Sequence, residues 1–263
     1  MSSTERRLQA GIEAVRKGGA HALGLFNRRD ELVIEKKGRQ DLVSRADRET
    51  ETIIRDVISA QFPEDGFLGE EYGSTGGTDR LWIIDPIDGT SNYLQGIPYW
   101  GILLAYVENG RPLLSFTYDA CRDELWTAEA GKGAKRNEKP IHCAGTDKAD
   151  EAIMALSFNF KTDPEVYTTM LAAAIRKGID HRRIGSTALK LAYVADGRFD
   201  ASVSMLTNAW DVVPGLLLVK EAGGCITDFT AGGHPLTKPA PAAACAPGIR
   251  GVIEEITGLT LDG

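Results

Sequence analysis

Leu8, Ile12, Val15, Ala22 and Phe26 recur near helical spacing with charged residues between them, which predicts an amphipathic helix over residues 5–27. A loop rich in Lys and Gly, EKKGRQ, follows. The stretch DLVSRADRETETIIRDVISAQFP predicts a second helix, with Ile53, Ile54, Val57 and Ile58 as its apolar stripe and Pro63 as its stop. GFLGEEYGSTGGTDR reads as loop by composition. The apolar runs LWII, YWGILLAYV and RPLLSFTYD are strands, and the ENG between the last two signals a hairpin. ELWTAEAGKGAKRNEKPI continues as strand with a Gly-containing turn. The first half is expected to be helices packed on a largely antiparallel sheet.

After about residue 145 the pattern changes. EAIMALSF, HRRIG (short strand or turn), FDASVSM and CITDF alternate with helical stretches. Those helices are DPEVYTTMLAAAIRKG, closed by Gly178; STALKLAYVADG, from Ser186 to Gly197; AWDVVPGLLLVKEAGG, with Pro214 in its first turn; and IRGVIEEIT. Strand–helix alternation is the signature of α/β packing. An α+β half over residues 1–144 and an α/β half over residues 145–263 are therefore expected, packed tightly because no linker, repeat or low-complexity tract separates them.

Composition narrows the class. A chain of 263 residues with 43% hydrophobic and 25% charged residues carries enough apolar surface for a sizeable core. The net charge of −7 argues against a nucleic-acid surface, which is ordinarily basic. HRRIG at 181–185 is a local basic candidate that reads more simply as a solvated turn. Cys121, Cys143, Cys225 and Cys245 form no CxxC pair and have no zinc-finger partner, as expected of reduced thiols in a cytoplasmic protein. The polar start does not look like a signal peptide, and YWGILLAYV falls far short of the ~18 residues of a membrane span.

Residues 85–93 read DPIDGTSNY, directly after LWII. Pro86 cannot donate a ladder hydrogen bond, so the strand is expected to end there. The turn then brings Asp85 and Asp88 toward one point. Two such carboxylates repel unless one takes a proton or a divalent cation binds both. Oxygen ligands select magnesium, manganese or calcium over zinc. An isolated DxxD is equally a capping aspartate plus a surface one. Three further features favour the metal: GEE at 69–71, WD at 210–211 opening a predicted helix, and Gly89-Thr90-Ser91, whose amides and hydroxyls can face an anion. Metal ligands beside an anion cradle suit phosphate-ester chemistry, in which divalent ions clamp the ester and ionise a water. EF-hand spacing, which would mark a calcium module, is absent.

With GEE upstream and WDVVPGLLLVKEAGG downstream, DPIDGTSNY resembles the inositol monophosphatase family of magnesium-dependent, lithium-sensitive phosphatases. The resemblance runs from the first helix to at least Phe229, with the motifs in family order. It implies a layered αβαβα sandwich, a homodimer, and two or three Mg2+ ions per subunit between the halves. It also implies metal ligation by Glu70, Asp85, the Ile87 carbonyl and Thr90 at one ion, and by Asp85, Asp88 and Asp211 at a second. Glu70 assists a third ion that carries the attacking water. Thr90 with Asp47 resembles the pair that orients and deprotonates that water, so Glu70, Thr90 and Asp47 are the catalytic candidates. Gly89, Thr90 and Ser91 are candidates for the phosphate, and Lys36 or Lys37 lies where a basic side chain approaches the metal loop. Asp47 could instead support its helix's first turn, Asp211 could cap its helix, and Glu71 rather than Glu70 could be the ligand. Trp210 and the Tyr99-Trp100 pair read as core.

For the leaving alcohol the resemblance implies contacts from Gly185 and Ser186, with Thr187 beside them, and from the residue seven before Asp211. Inositol-preferring members carry glutamate there; this chain has Ser204. Serine is shorter and uncharged, which sets strict inositol preference in question. The expected activity is hydrolysis of a small phosphate monoester, with inositol 1-phosphate as the default. The alternatives are histidinol, sugar or nucleotide phosphates, or, in a different class, a regulatory partner of RNA machinery.

Overall fold

The computed structural model describes residues 2–29, 34–38 and 41–263, with side chains described for 2–29 and 45–263. Helix α1 (Ser3–Phe26) is capped by the Ser2 hydroxyl, which accepts from the Glu5 amide at 3.1 Å. The strands β1 (Ile34–Gly38) and β2 (Asp41–Ser44) pair antiparallel. Helix α2 (Arg45–Ser59) leads to β3 (Gly66–Gly69), β4 (Gly73–Thr75), β5 (Arg80–Asp88) and the short helix α3 (Thr90–Leu94). Then come β6 (Gly101–Glu108), β7 (Arg111–Asp119), β8 (Glu124–Glu129), β9 (Ala134–Arg136) and β10 (Lys139–Pro140). The remainder alternates: β11 (Ile153–Ser157), α4 (Pro164–Arg176), β12 (Asp180–Arg182), α5 (Thr187–Ala195), β13 (Ala201–Thr207) and α6 (Ala209–Glu221). It closes with β14 (Cys225–Ile226), β15 (Ala240–Cys245) and α7 (Arg250–Thr257).

An eight-stranded sheet runs β10-β9-β8-β7-β6-β5-β3-β4, and a five-stranded sheet runs β12-β11-β13-β15-β14. The large sheet is antiparallel apart from the β3–β5 pair. Side-chain alternation explains the layering. On β5, Trp82 and Ile84 face the core under α1 and α2, whereas Leu81 and Ile83 face the core built by α5 and α6. A strand covered on both faces reads as a continuous apolar run, as LWII does. The small sheet covers the other side of α5 and α6, and α4 and α7 close its far face. The order is helices, sheet, helices, sheet, helices, the expected αβαβα sandwich.

The hairpin between β6 and β7 turns on Asn109 (φ 51°) and Gly110 (φ 77°), both left-handed, as a two-residue turn matching strand twist requires. Local expectations fail where short strands borrow their order from neighbours. Asp41–Ser44 is strand, not helix, because it pairs with Ile34–Gly38, part of the expected Lys/Gly loop. Gly66–Gly69 and Gly73–Thr75 are strands inside the expected GFLGEEYGSTGGTDR loop, because β3 lies in register against β5. Pro214 sits inside α6 rather than in its first turn. Its ring removes one helix N–H, and its carbonyl accepts the Ser115 hydroxyl at 2.6 Å, tying α6 to β7. Among the described residues no helix is long and apolar enough to cross a membrane.

Candidate metal centre

Strand β5 does not stop at Pro86; it continues to Asp88. Asp85 pairs with Leu103 of β6 and Asp88 with Gly101, so three steps on β5 oppose two on β6. The extra residue is a β-bulge, and Pro86 falls inside it, where no ladder N–H is needed. In a regular strand residues three apart face opposite ways. The bulge resets the alternation, so Ile87 enters the core under α1 and α2, and Asp85 and Asp88 both reach an oxygen cluster with Asp211 of α6. One oxygen from each of these three carboxylates lies within 4.8 Å of the others.

Neighbouring backbone and hydroxyl groups fix each carboxylate. Asp85 accepts from the Ile87 amide at 3.1 Å and is in side-chain hydrogen-bond contact with Glu70. Asp88 accepts from the Ala188 amide at 2.7 Å and from the Ser186 hydroxyl. Asp211, third in α6, accepts from the Asn208 amide and the Thr207 hydroxyl, each at 2.9 Å. The N-cap position belongs to Asn208, so Asp211 keeps oxygen capacity for the cluster.

Burial and mutual repulsion strain the cluster electrostatically. Burial first, and then the charges of Glu70, Asp88 and Asp211, hold the Asp85 carboxyl well above the usual range. Burial and then the Asp88 charge push Asp211 up to about 6. Burial also raises Asp88, against the stabilising bonds from Ser186 and Ala188. Converging all-oxygen donors, two buried and one half-buried, are the ligand set of a hard divalent cation, so the residues fit magnesium.

The catalytic candidates border the cluster. Thr90 Oγ1 lies 3.3 Å from Asp47 Oδ1 and 3.1 Å from the Ile87 carbonyl, two acceptors for its one hydrogen. Asp47 is buried in the first turn of α2. Of the GEE pair, Glu70 lines the cavity, while Glu71 turns to Arg48 (4.0 Å) with its side chain buried. Gly89 has φ 97° and opens α3; a Cβ there would stand 3.2 Å from the Tyr99 carbonyl and 3.3 Å from that of Gly185. Trp100 is core, edge-on to Tyr93, and Tyr99 and Trp210 pack against the α5–α6 core. The side chains of Lys36 and Lys37 lie outside the described residues.

A cavity of about 460 Å³ opens beside the cluster, within the size range of small-molecule sites. Glu70, Asp88, Thr90 and Asp211 line it, together with Ser157, Lys161, Arg183, Thr187 and Ser204, and Gly89, Ser91 and Gly185 also border it. Ser186 lies buried beneath, its hydroxyl engaged with Asp88. Three participants escaped sequence reasoning. Asn92 donates to the carbonyls of Tyr99 (2.8 Å) and Ile184 (2.7 Å), bolting α3 to the approach to α5. Thr207 orients Asp211. Lys190 of α5 is 1% exposed and reaches Ser204 Oγ at 3.2 Å and the Ser157 hydroxyl. Burial pulls its ammonium down to about 8, against the attraction of Asp88 and Asp211.

Known proteins share the sequence pattern and the fold of this chain. Residues 3–257 match the model of the inositol monophosphatase family. A curated relative from Xylella fastidiosa, named Nus factor SuhB, is 38% identical over 226 residues, covering 85% of this chain and 82% of that protein. The extragenic suppressor protein SuhB from Bartonella henselae superposes with a TM-score of 0.91 at 31% identity, covering 96% of this chain and 98% of the other. An IMPase from Thermotoga maritima superposes with a TM-score of 0.85 at 33% identity, covering 96% and 97%.

Proposed function

The chain belongs to the inositol monophosphatase family, and from that premise we propose that it is a magnesium-dependent hydrolase of a small phosphate monoester, inositol 1-phosphate being the default substrate. The observation that carries this reading is the convergence of Asp85, Asp88 and Asp211, the last two lining a cavity of substrate size. Glu70, Asp85, the Ile87 carbonyl and Thr90 would hold one ion; Asp85, Asp88 and Asp211 would hold a second, and Glu70 would share a third. When bound, magnesium supplies charge neutralisation and a lowered pKa for coordinated water.

The chain's own groups do the rest. The Thr90 hydroxyl, its hydrogen directed toward Asp47, turns a lone pair to the cavity and can take a proton from water while passing its own to Asp47. Gly89 and Thr90 present backbone amides to the phosphate, and Ser91 adds a hydroxyl. Gly185 and Thr187 border the space for the leaving alcohol. A cytoplasmic homodimer, sensitive to lithium, completes the reading on family grounds. The test is phosphate release from a panel of inositol, histidinol, sugar and nucleotide phosphates with and without magnesium. Release that requires the metal supports the assignment, and silence across the panel removes it.

A second reading has its own support. The Xylella fastidiosa relative carries the name Nus factor, which favours a regulatory role with RNA machinery alongside or instead of hydrolysis and weighs against the expectation, from net charge, of no nucleic-acid partner. Capture of RNA or RNA polymerase by the Asp88→Asn variant would separate that role from catalysis.

A further inference from the structure

Helix α2 sends two buried carboxylates to two different segments of the metal centre. Asp47 and Glu51 lie one turn apart on the same helix face, 2% and 0% exposed. Asp47 meets Thr90, at the end of the DPIDGT segment. Glu51 meets the GEE segment instead. Its Oε2 accepts from the Glu71 amide at 2.8 Å. Its Oε1 lies over Gly69, where a Cβ would stand only 1.9 Å away. The Glu51 carboxylate therefore holds the chain immediately before and immediately after Glu70.

Glu70 opens the turn between β3 and β4, residues 70–72, with a glycine on either side at 69 and 73. Its own amide donates to the Ile84 carbonyl at 3.2 Å, which ties it to β5. Glu51 supplies the tie to the helical layer. Arg55, one further turn along α2, fixes Glu51 in turn. It donates to Glu51 Oε1 and to the Thr75 hydroxyl and the Gly73 carbonyl, at 2.8, 2.9 and 3.0 Å. One helix face thus holds both strands that flank the turn. A glycine inside a strand often marks the close approach of another group, and at Gly69 that group is the Glu51 carboxylate. A buried carboxylate costs stability unless it is bonded. A pair with Arg55 alone could form as well on an exposed helix face, so the ion pair does not account for the burial of Glu51 against Gly69.

We propose that Glu51 is a positioning residue for Glu70: by fixing the backbone on both sides of that ligand, it aims the Glu70 carboxylate at the divalent ions. This deepens, and rests on, the hydrolase reading. Glu51 acts only through Glu70, so its loss is felt at the ions that Glu70 holds. Asp88 and Asp211 are fixed by other groups, Ser186 and Ala188 for the first and Thr207 and Asn208 for the second. Their ion is independent of Glu51.

The experiment titrates the full chain with manganese and follows the free-ion electron paramagnetic resonance signal, which reads affinity without turnover. Glu51→Leu should weaken one class of bound ion by ~10-fold or more, the cost of losing a group that orients a metal ligand. In a Glu70→Gln background the same substitution should cost less than ~3-fold, because the ligand it orients is already altered. In an Asp211→Asn background its full cost should persist. Glu51→Gln, which keeps an oxygen for the Glu71 amide, should recover most of the affinity. Because a buried glutamate variant can fail to fold, Arg55→Gln is read in the same cycle; it should weaken the same class by a smaller factor, and only where Glu70 is intact. Equal losses in the wild-type and Glu70→Gln backgrounds, or no loss in either, overturn the proposal. Phosphate release by the same proteins keeps the two readings apart. Coupling of Glu51 to Glu70 with no release from any ester overturns the hydrolase reading and upholds the positioning; metal-dependent release without that coupling does the reverse.

Discussion

Thr90 and Asp47 meet across a separation of 43 residues, the threonine hydroxyl 3.3 Å from the buried carboxylate. One opens α3 just after β5, the other lies in the first turn of α2, so the contact joins the DPIDGT segment to the outer helical layer. A helix-supporting aspartate would not need this partner. Thr90→Val and Asp47→Asn should each lower kcat by about 10²- to 10⁴-fold, the range of a lost proton acceptor, with KM little changed. Steady-state kinetics alongside a melting curve checks this. Near-wild-type turnover in a folded Asp47→Asn protein would assign the residue to its helix alone.

The bulge at Asp85–Asp88 brings like charges together inside the protein, and this sets opposite signs for stability and activity. Asp211→Asn removes a half-buried charge while retaining the side-chain shape. It should abolish phosphate release and, in metal-free buffer, leave the melting temperature unchanged or higher. Asp88→Asn should likewise lose turnover with the fold retained. Circular dichroism and phosphate release on the same preparations decide the matter; wild-type rates in either variant would contradict its place at the metal.

The raised carboxyls also fix a pH dependence. Asp211 is held up to about 6 from an ordinary 3.8. Between those values the folded protein keeps a proton the unfolded chain has lost, so stability falls as pH rises; above both, the penalty is complete, on the order of 3 kcal/mol. A divalent cation replaces that proton. Magnesium should therefore raise the melting temperature strongly at pH 8 and progressively less below pH 6. Thermal scans with and without magnesium across this range measure it, and a pH-independent increment would show that the ion binds elsewhere.

Gly89 is the backbone pivot of the site. At φ 97° with carbonyls of Tyr99 and Gly185 pressing on the position of any Cβ, Gly89→Ala is strained twice over. It should cost about 1–2 kcal/mol of stability and lower kcat/KM by more than the melting shift explains. Chemical denaturation with m-values, paired with kinetics, tests it; a silent substitution would remove Gly89 from any role at the phosphate.

The fold was most legible where burial writes long apolar runs. LWII, YWGILLAYV and RPLLSFTYD announce central strands, and Ser186 and Gly197 mark the ends of α5 in plain capping chemistry. The short strands β3 and β4 were hidden because Gly-rich segments have little preference of their own. β15 was missed because APAAAC carries no β-branched residue and owes its order to β13 and β14. The carboxylates of the site were legible as motifs, but the bulge that aims them was not, since it exists only in the register against β6. Lys190 had a signal that went unread: its neighbours Ala188, Leu189, Leu191 and Ala192 are apolar, and a lysine inside an apolar helix marks a buried cation.

The central claim is that Asp85, Asp88 and Asp211 share divalent ions. Diffraction from crystals soaked in manganese, with anomalous scattering recorded at the manganese edge, tests it most directly. Peaks within coordination distance of all three carboxylates, Asp85 bridging, are the expected result. A map in which manganese sits only at surface carboxylates, with those three uncoordinated, would contradict it.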